Sequence, residues 1–311
     1  MTVVDSSSPT SPAAIDAVPL RHPWRWVAAV VIMILVVLFV YGAATNDAYR
    51  WRIFAEYLFN DRILMGVSNT LQLTIYSMVI AIVLGVILAV MRLSANPVFR
   101  SVSWMYLWIF RGTPIYVQLT FWGLIPTIYS SIQLGIPFGP SFFHLNLQAL
   151  SIPFLLATLG PALNEAAYMA EIIRAGISSV PEGQLEASTA LGMSWGMAMR
   201  RTVLPQAMRV IIPPTGNEVI SMLKTTSLVT AVPYTLDLYS IATREIAARE
   251  FEPVPLLLVA AAWYLAVTSL LMVGQFYLER YYSRGASRKL TTKQLEALAK
   301  AQTTQLGEPH V

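Results

Sequence analysis

Long apolar runs dominate the chain, and each is long enough to cross a bilayer as a helix. A spanning helix needs about 20 apolar residues, because its backbone polar groups must be satisfied within the segment. Six runs meet this requirement: Trp26–Ala44, Gly66–Leu93, Thr113–Gln133, Ala149–Ile177, Met208–Val232 and Pro255–Leu278. A shorter run rich in Trp and Tyr, Val98–Phe110, is typical of a segment at the membrane interface. The pattern predicts an all-α, polytopic membrane protein with about six transmembrane helices.

The composition supports the same class. The chain has 311 residues, of which 56% are hydrophobic and 12% are charged, whereas an ordinary soluble domain carries about 25% charged residues. This apolar fraction exceeds what one soluble core of this length buries, so a multi-span membrane protein is indicated. The lack of cysteine excludes disulfides and thiolate metal sites, and no metal site is predicted.

Basic residues are unevenly distributed between the two sides of the predicted spans. With a cytoplasmic N-terminus, fifteen Arg and Lys residues fall inside, and five fall outside: Arg50, Arg52, Arg62, Arg244 and Arg249. The positive-inside rule therefore predicts that both termini are cytoplasmic. Because basic residues accumulate in such loops, the net charge of +4 gives no indication of nucleic-acid binding.

The two ends of the chain differ from the central part. Residues 1–25, rich in Ser, Pro and Ala, predict a disordered cytoplasmic tail, and residues 283–311 predict a cytoplasmic C-terminal tail. Residues 26–44 predict an extra first helix, because a cleaved signal peptide would lie nearer the start and have a shorter apolar core. Residues 60–282 are then the main transmembrane domain.

The connection between the fourth and fifth predicted spans, residues 178–207, lies on the cytoplasmic side. Pro181 and Glu182 suit the first turn of a helix. Gly192 ends that helix, and a helical pattern resumes at residues 195–203 until Pro205 interrupts it. A helix–Gly–helix that exposes small and apolar residues is typical of a docking surface for another protein. The alternative is an interfacial helix that rests on lipid.

Within this connection, GMSWG also matches the G-x-S-x-G pattern of serine hydrolases. The nucleophile of those enzymes sits on a turn between a strand and a helix, whereas Ser194 is followed by a helical pattern and has no strand run before it. The histidines, His22, His144 and His310, lie in the terminal segments or on the opposite side of the membrane. Neither H-E-x-x-H nor a phosphate-binding G-x-x-x-x-G-K-[ST] occurs, so no catalytic role is predicted.

The same connection fits a longer pattern: E-A-A, three residues, Gly, nine residues, I-x-L-P. Ser188 replaces the second Ala and Thr202 replaces the Ile. The stretches RGTPIYVQL at 111–119, AAYMAEIIRAGISSVPEGQLEA at 166–187, LPQAMRVIIPPTGNEVI at 204–220 and LKTTSLV at 223–229 surround it. Over roughly residues 60–282 the chain resembles the membrane subunits of binding-protein-dependent ABC importers, in the polar amino-acid uptake family.

This resemblance implies the ABC importer type I permease fold and a coupling region that sits in a groove of a separate cytoplasmic ATPase. The implied coupling residues are Glu186, Ala187, Ser188, Gly192, Leu204 and Pro205. ATP would be bound by the partner, so this chain should carry no cofactor. An extracytoplasmic solute-binding protein and a second permease subunit, identical or paralogous, complete the implied assembly in the bacterial cytoplasmic (inner) membrane.

Ionisable residues inside the predicted spans are candidates for a substrate site, because each costs roughly 2.5–3.5 kcal/mol to insert. Glu165 and Glu171 lie on the fourth span, and Glu218 and Lys224 lie on the fifth. Proline near these residues is expected to break both helices and expose backbone dipoles. The candidate set for an amino acid is Asn69, Gln118, Glu165, Glu171, Lys224, Thr225 and Ser227.

Structural roles for the same residues remain open. Glu171 could pair with Arg174 one turn on, and Glu165 could pair with Lys224 between helices. The opposite hypothesis is that Lys224 and Glu171 contact substrate. The charged, helical segment 236–250 is equally consistent with a docking surface for the binding protein and with a solvated helix that caps the pore.

The chain is therefore predicted to be a pore-forming permease subunit of an amino-acid importer and not an enzyme. The alternatives are a permease for an opine or a sulfur-containing amino acid and, from another class, a membrane scaffold without transport. Three glutamates against one lysine within the spans favour a solute with an extra positive charge.

Overall fold

The structure is a computed structural model of the chain. It describes residues 23–129, 131–136, 139–146, 153–247 and 251–282. The predicted C-terminal tail and most of the predicted N-terminal tail lie outside the described residues. The chain divides into two units, residues 1–51 and 52–311, and each is described by itself.

The described part of the first unit is dominated by helix α1, Pro23–Thr45, which begins three residues before the predicted span. Its side chains are apolar on every face and none is buried, as expected of a helix surrounded by lipid. A short 3₁₀ turn, Asp47–Tyr49, follows and is capped by Asn46. The Trp51 indole donates to the carbonyl of Ala43 at 3.0 Å, which folds the end of this unit back on α1.

Ten further α-helices and one hairpin follow within the described ranges. They are α2 (Trp51–Leu58), α3 (Asp61–Leu93), α4 (Pro97–Gly112), α5 (Ile115–Ile128), β1 (Ser131–Gly135), β2 (Ser141–Asn146), α6 (Pro153–Ser178), α7 (Glu182–Ala190), α8 (Trp195–Ala198), α9 (Leu204–Thr225), α10 (Leu238–Ser240) and α11 (Pro253–Tyr282). Of the described helices, α1, α3 and α11 are long and apolar enough to cross a membrane. Helices α6 and α9, with 26 and 22 residues, have the length but carry charged residues.

Helices α3 and α6 form the centre of the second unit and pack together along their length. A Cβ added at Gly85 of α3 would lie 2.6 Å from Cβ of Met169 on α6. Buried Ala81 and Ala170 continue this line of small residues. Small side chains let helix backbones approach closely where dispersion contacts rather than water expulsion hold helices together. Helix α9 packs on α6, and α11 packs on α9.

The predicted interfacial segment Val98–Phe110 is instead part of helix α4, which packs lengthwise against α3 and α6. The Ser103 hydroxyl donates to the Leu88 carbonyl at 2.8 Å, and the Tyr106 hydroxyl donates to the Leu163 carbonyl at 2.7 Å. Helix α4 thus runs from the C-terminal ends of α3 and α6 towards their middle. The location of this segment at the membrane interface stays a prediction.

Helices α4 and α5 follow one another directly, with a break at Thr113–Pro114. The predicted span Thr113–Gln133 contains a helix of only 14 residues. After it comes an antiparallel hairpin in which Ser131 pairs with Asn146 and Leu134 with Phe143. Among the described residues the all-α expectation therefore holds except for this hairpin. Its strands lie mainly between the predicted spans Thr113–Gln133 and Ala149–Ile177, and only residues 131–133 fall inside one of them.

The expected breaks at the prolines of the fourth and fifth spans do not occur. Pro161 lies inside α6, and Pro213 and Pro214 lie inside α9, and both helices are continuous. The Gln275 amide on α11 donates to the Pro213 carbonyl at 2.7 Å, and Gly216 leaves room for it, since a Cβ there would overlap Gln275. This bond joins α9 to α11 beside the prolines, and α9 continues through them, as is tolerated in helices that pack within a bundle.

The segment 236–250 is packed into the core as far as the structure describes it. Helix α10 begins after Asp237 and continues through a π-helical turn, Ile241–Ile246. Leu238, Ile241 and Ile246 are buried against side chains of α3 and α11. These apolar side chains share one face, and a docking surface or a cap on the opposite face, which includes the exposed Arg244, stays a prediction.

Candidate functional site

Helices α7 and α8 form a hairpin that ends in a glycine turn. Gly192 has φ +79°, the left-handed region that residues with a Cβ rarely adopt. The Gly192 amide donates to the Thr189 carbonyl at 2.9 Å, and the Met193 amide donates to the Ser188 carbonyl at 3.1 Å. These bonds satisfy the last carbonyls of α7. Helix α8 then continues through a π-helical turn, Met199–Val203, into α9, so the hairpin is joined directly to the central bundle.

The inner side of this hairpin contains the two residues that depart from the E-A-A…I-x-L-P pattern. The buried Ser188 hydroxyl donates to the Gln184 carbonyl at 2.8 Å and lies 2.9 Å from Oγ1 of Thr202. Beside them, the Gln206 amide donates to Oε1 of Gln184 at 3.2 Å. Ser188 and Thr202 thus replace an apolar contact with a hydrogen-bonded pair across the hairpin.

The outer side of the hairpin is apolar and exposed. Leu191 and Trp195 are 79% and 71% exposed, and Met197 is also exposed. Glu186 and Ala187 lie beside them, on the exposed side of α7. A contiguous exposed patch of apolar side chains with a polar edge marks an interaction surface. Leu204 and Pro205 open α9, where proline needs no backbone donor.

The hydroxyl pair should show strong coupling in a double-mutant cycle. Ser188→Ala leaves the half-buried Thr202 hydroxyl without this partner, and Thr202→Val leaves Ser188 bonded to the Gln184 carbonyl alone. Each is expected to lower the free energy of unfolding by about 0.5–1.5 kcal/mol. The double variant should cost less than the sum of the two by about 0.5–1.5 kcal/mol. Chemical unfolding of the purified chain in detergent measures this, with the exposed Thr189→Ala as control. Additive effects would show that the two hydroxyls act independently.

Ser194 does not have the surroundings of a hydrolase nucleophile. It precedes α8 in extended conformation, and the element before it is helix α7 rather than a strand. The hydrolase reading of GMSWG is therefore excluded by the local fold.

Two carboxyl groups face each other between α6 and α9. Glu165 is only 8% exposed, and its carboxyl lies close enough to that of Glu218 for the two like charges to interact. Among the described residues, no donor reaches Oε1 of Glu165, and Lys224 is not its partner. Two carboxylates in contact cannot both stay ionised without a counter-charge. The pair therefore requires a shared proton or a cationic group.

Glu171 and Lys224 lie at opposite ends of the path that the candidate residues define. Glu171 forms an ion pair with Arg174, with the Arg174 Nε 3.1 Å from Oε2. Lys224 is exposed and opens on a cleft of about 220 Å³ with Tyr239 and Tyr264. Each is six residues from the facing carboxyls, in opposite directions, so they are about 18 Å apart along the helix axes. One small amino acid does not span that distance.

Neutral candidates make internal hydrogen bonds. The Asn69 amide donates to the Leu236 carbonyl at 2.9 Å. The buried Gln118 amide donates to the carbonyls of Phe110 and Thr113, at 2.9 and 3.0 Å, and Oε1 of Gln118 accepts from Asn164 at 3.1 Å. Gln118 and Asn164 thereby hold the break between α4 and α5.

The remaining two neutral candidates lie at the end of α9. The Ser227 hydroxyl donates to the Lys224 carbonyl at 2.8 Å, and Thr225 is half-buried in the last turn. Both are next to the cleft that Lys224 lines.

The sequence analysis did not single out Asp237, which is fully buried where α9 and α10 are connected. Its Oδ2 accepts the Ser240 amide at 3.0 Å and caps α10. Burial raises the pKa of Asp237 above its usual range, and the hydrogen bonds with Ser240 oppose that shift. Its only sequence signal is its position before a helical run, a signal that many surface aspartates share.

Comparison with known proteins identifies several relatives. The family described as "Binding-protein-dependent transport system inner membrane component" matches residues 81–284. The arginine transport system permease protein ArgU of Corynebacterium glutamicum is 59% identical over 297 residues, which cover 95% of this chain and 92% of that protein. The histidine/lysine/arginine/ornithine transport system permease protein HisM of Escherichia coli is 39% identical over 67% of this chain and 83% of its own length.

Among solved structures, one chain described as "Crystal structure of an amino acid ABC transporter with histidines" is similar throughout the main domain. It superposes with a TM-score of 0.60 and is 31% identical, covering 73% of this chain and 97% of that chain.

Proposed function

The chain belongs to the binding-protein-dependent transport system inner membrane components, and we propose that it carries a basic amino acid, with arginine as the first candidate. As a member of this family it is the pore-forming subunit of an ABC importer for amino acids. The proteins named above include one named for arginine transport and one named for four cationic or imidazole-bearing amino acids. The choice of a basic solute extends those names to this chain.

The observation that carries the choice of solute is the pair of neighbouring carboxyls, the buried Glu165 and the half-buried Glu218. A guanidinium or ammonium group passing between α6 and α9 would relieve the repulsion between the two carboxyls. It would donate charge-assisted hydrogen bonds to both of them. A neutral side chain offers no such compensation. The pair therefore favours a cationic side chain over a neutral one.

The other candidate residues are assigned to successive points on the same path. Lys224, with Thr225 and Ser227 near it, would meet the substrate carboxylate at one end. Glu171, already paired with Arg174, would act at the other end. Asn69 and Gln118 would contribute by holding the backbone on which these side chains sit.

The same proposal includes the assembly. A cytoplasmic ATPase would bind ATP and dock on the exposed side of the α7–α8 hairpin, and no nucleotide would be bound by this chain. A solute-binding protein would deliver the amino acid from outside, and a second permease subunit, identical or paralogous, would complete the pore. Both termini would lie in the cytoplasm, which the distribution of arginine and lysine favours.

The test is uptake of radiolabelled arginine into proteoliposomes that contain the chain with its co-purified ATPase and binding protein. Unlabelled lysine and ornithine are expected to compete, and glutamine, methionine and an opine are expected to compete at least tenfold less well. Preferential competition by methionine or the opine would assign the chain to the corresponding alternative. Absence of ATP-dependent uptake of every solute in the correctly assembled complex would leave only a scaffold role.

A further inference from the structure

A basic cleft of about 570 Å³ lies where α3, α4 and α6 meet, away from the carboxyl pair. It is lined by Arg92, Leu93, Arg100, Ser101, Trp104 and Arg174. Its volume falls in the range of about 300–1,000 Å³ that binding sites for small molecules occupy. None of these residues belongs to the α7–α8 hairpin or to the candidate substrate path.

The cleft is formed by a short, well-capped turn between α3 and α4. Arg92 lies in the last turn of α3, and Arg100 lies in the first turns of α4. Asn96 caps α4 by accepting the Val98 amide at 2.9 Å, and the hydroxyl of Ser94 accepts the Asn96 amide at 3.1 Å. These bonds fix the two arginines on adjacent helix ends before any ligand arrives.

The cleft carries an uncompensated positive charge. Arg174 is paired with Glu171, but neither Arg92 nor Arg100 forms a salt bridge with any residue that the structure describes. Three arginines against one glutamate leave a local charge of +2. Guanidinium groups in such an arrangement bind phosphate oxygens with paired hydrogen bonds.

One side of the cleft is continuous with an apolar surface. Trp104 lines the cleft, is 52% exposed, and stacks on Trp108 one turn further along α4, with ring centroids 6.2 Å apart. Further apolar side chains of α4 are exposed beside them: Val98, Phe99, Val102, Met105 and Ile109. A soluble anion has no apolar part that could bind this surface, whereas the acyl chains of a phospholipid would cover it.

We infer that this cleft binds the phosphate of an anionic phospholipid in the cytoplasmic leaflet, with the acyl chains lying along the exposed face of α4. The inference rests on the membrane orientation proposed above, which places the α3–α4 turn in the cytoplasm. Basic pockets between transmembrane helices on that side bind anionic headgroups. The chemistry shared with a free anion is the phosphate group, and the acyl chains distinguish the lipid.

The test is binding to the purified full-length chain in mild detergent. Short-chain phosphatidylglycerol, short-chain phosphatidylcholine and inorganic phosphate are titrated separately, and bound ligand is counted by native mass spectrometry. Phosphatidylglycerol is expected to saturate one site, and the double substitution Arg92→Gln/Arg100→Gln should weaken it roughly 10- to 30-fold. Arg200→Gln/Arg201→Gln, which removes two exposed arginines on the same side, should leave the affinity unchanged.

Equal affinity for phosphatidylglycerol in the two double variants would overturn the site, and equal binding of phosphatidylcholine would overturn the role of charge. Inorganic phosphate binding as tightly as phosphatidylglycerol would overturn the lipid assignment in favour of a soluble anion. Both double variants should unfold at the wild-type temperature, which shows that any loss of lipid binding is not caused by misfolding. Because this experiment measures no transport, its outcome does not affect the proposal about the transported solute.

Discussion

Gly192→Pro is expected to abolish both amino-acid uptake and substrate-stimulated ATP hydrolysis while the chain still inserts and assembles. Proline fixes φ near −65°, whereas Gly192 has φ +79°. The substitution also removes the amide that donates to Thr189. The turn between α7 and α8 must then re-form with a different angle, and Leu191 and Trp195 leave their common surface. If this surface transmits closure of the ATPase to α6 and α9, both activities are lost together.

The matched control for this substitution is Gly183→Pro. Gly183 lies in the first turn of α7, where a helix tolerates proline, and a side chain there meets nothing within 4 Å. Glu186→Arg tests the same surface by charge and should also uncouple hydrolysis from substrate. Uptake and hydrolysis at wild-type rates in Gly192→Pro would identify the hairpin as an interfacial helix without a coupling role.

The second large effect is expected from Glu165→Gln/Glu218→Gln, which removes both carboxylates and keeps their shape. Charge-assisted hydrogen bonds contribute about 1.5–3 kcal/mol each. Uptake of arginine, measured as kcat/KM in proteoliposomes, should therefore fall by roughly 100-fold or more. The double variant should unfold at the same temperature or higher, because a repulsive contact has been removed.

A loss of uptake together with a loss of stability would instead mean that the pair is structural. Glu56→Gln, an exposed glutamate on α2, controls for the general effect of removing negative charge. Wild-type arginine uptake in the double variant would contradict the role assigned to the pair, and selectivity would then have to reside in the solute-binding protein.

The family, the helical class and the hairpin at Gly192 could be predicted from the sequence because each depends on local or repeated patterns. Apolar runs mark helices in lipid, and glycine after Leu191 marks a turn. The coupling motif adds several residues in fixed order. The two departures from that motif, Ser188 and Thr202, could also be identified from the sequence. Only the structure shows that their hydroxyls are hydrogen-bonded to each other.

The effect of the prolines on the helices and the partners of the carboxylates could not be predicted from the sequence, because both depend on neighbouring helices. Pro213 and Pro214 lie inside α9, and the Gln275 amide reaches the Pro213 carbonyl from α11, 62 residues later. Glu165 lies beside Glu218, whereas Lys224 is six residues further along α9 and opens on a separate cleft. Which of these side chains meet depends on how α6 and α9 pack.

The break between α4 and α5 gives the bundle a way to accommodate bilayers of different thickness. A continuous helix responds to a thinner membrane by tilting as a whole, which would disturb its packing on α3 and α6. Here the change can be taken up at Thr113–Pro114, where side-chain amides of Gln118 and Asn164, rather than an unbroken backbone ladder, join the two halves. Lipid acyl length should therefore alter the angle at this joint before it alters the central pair of helices.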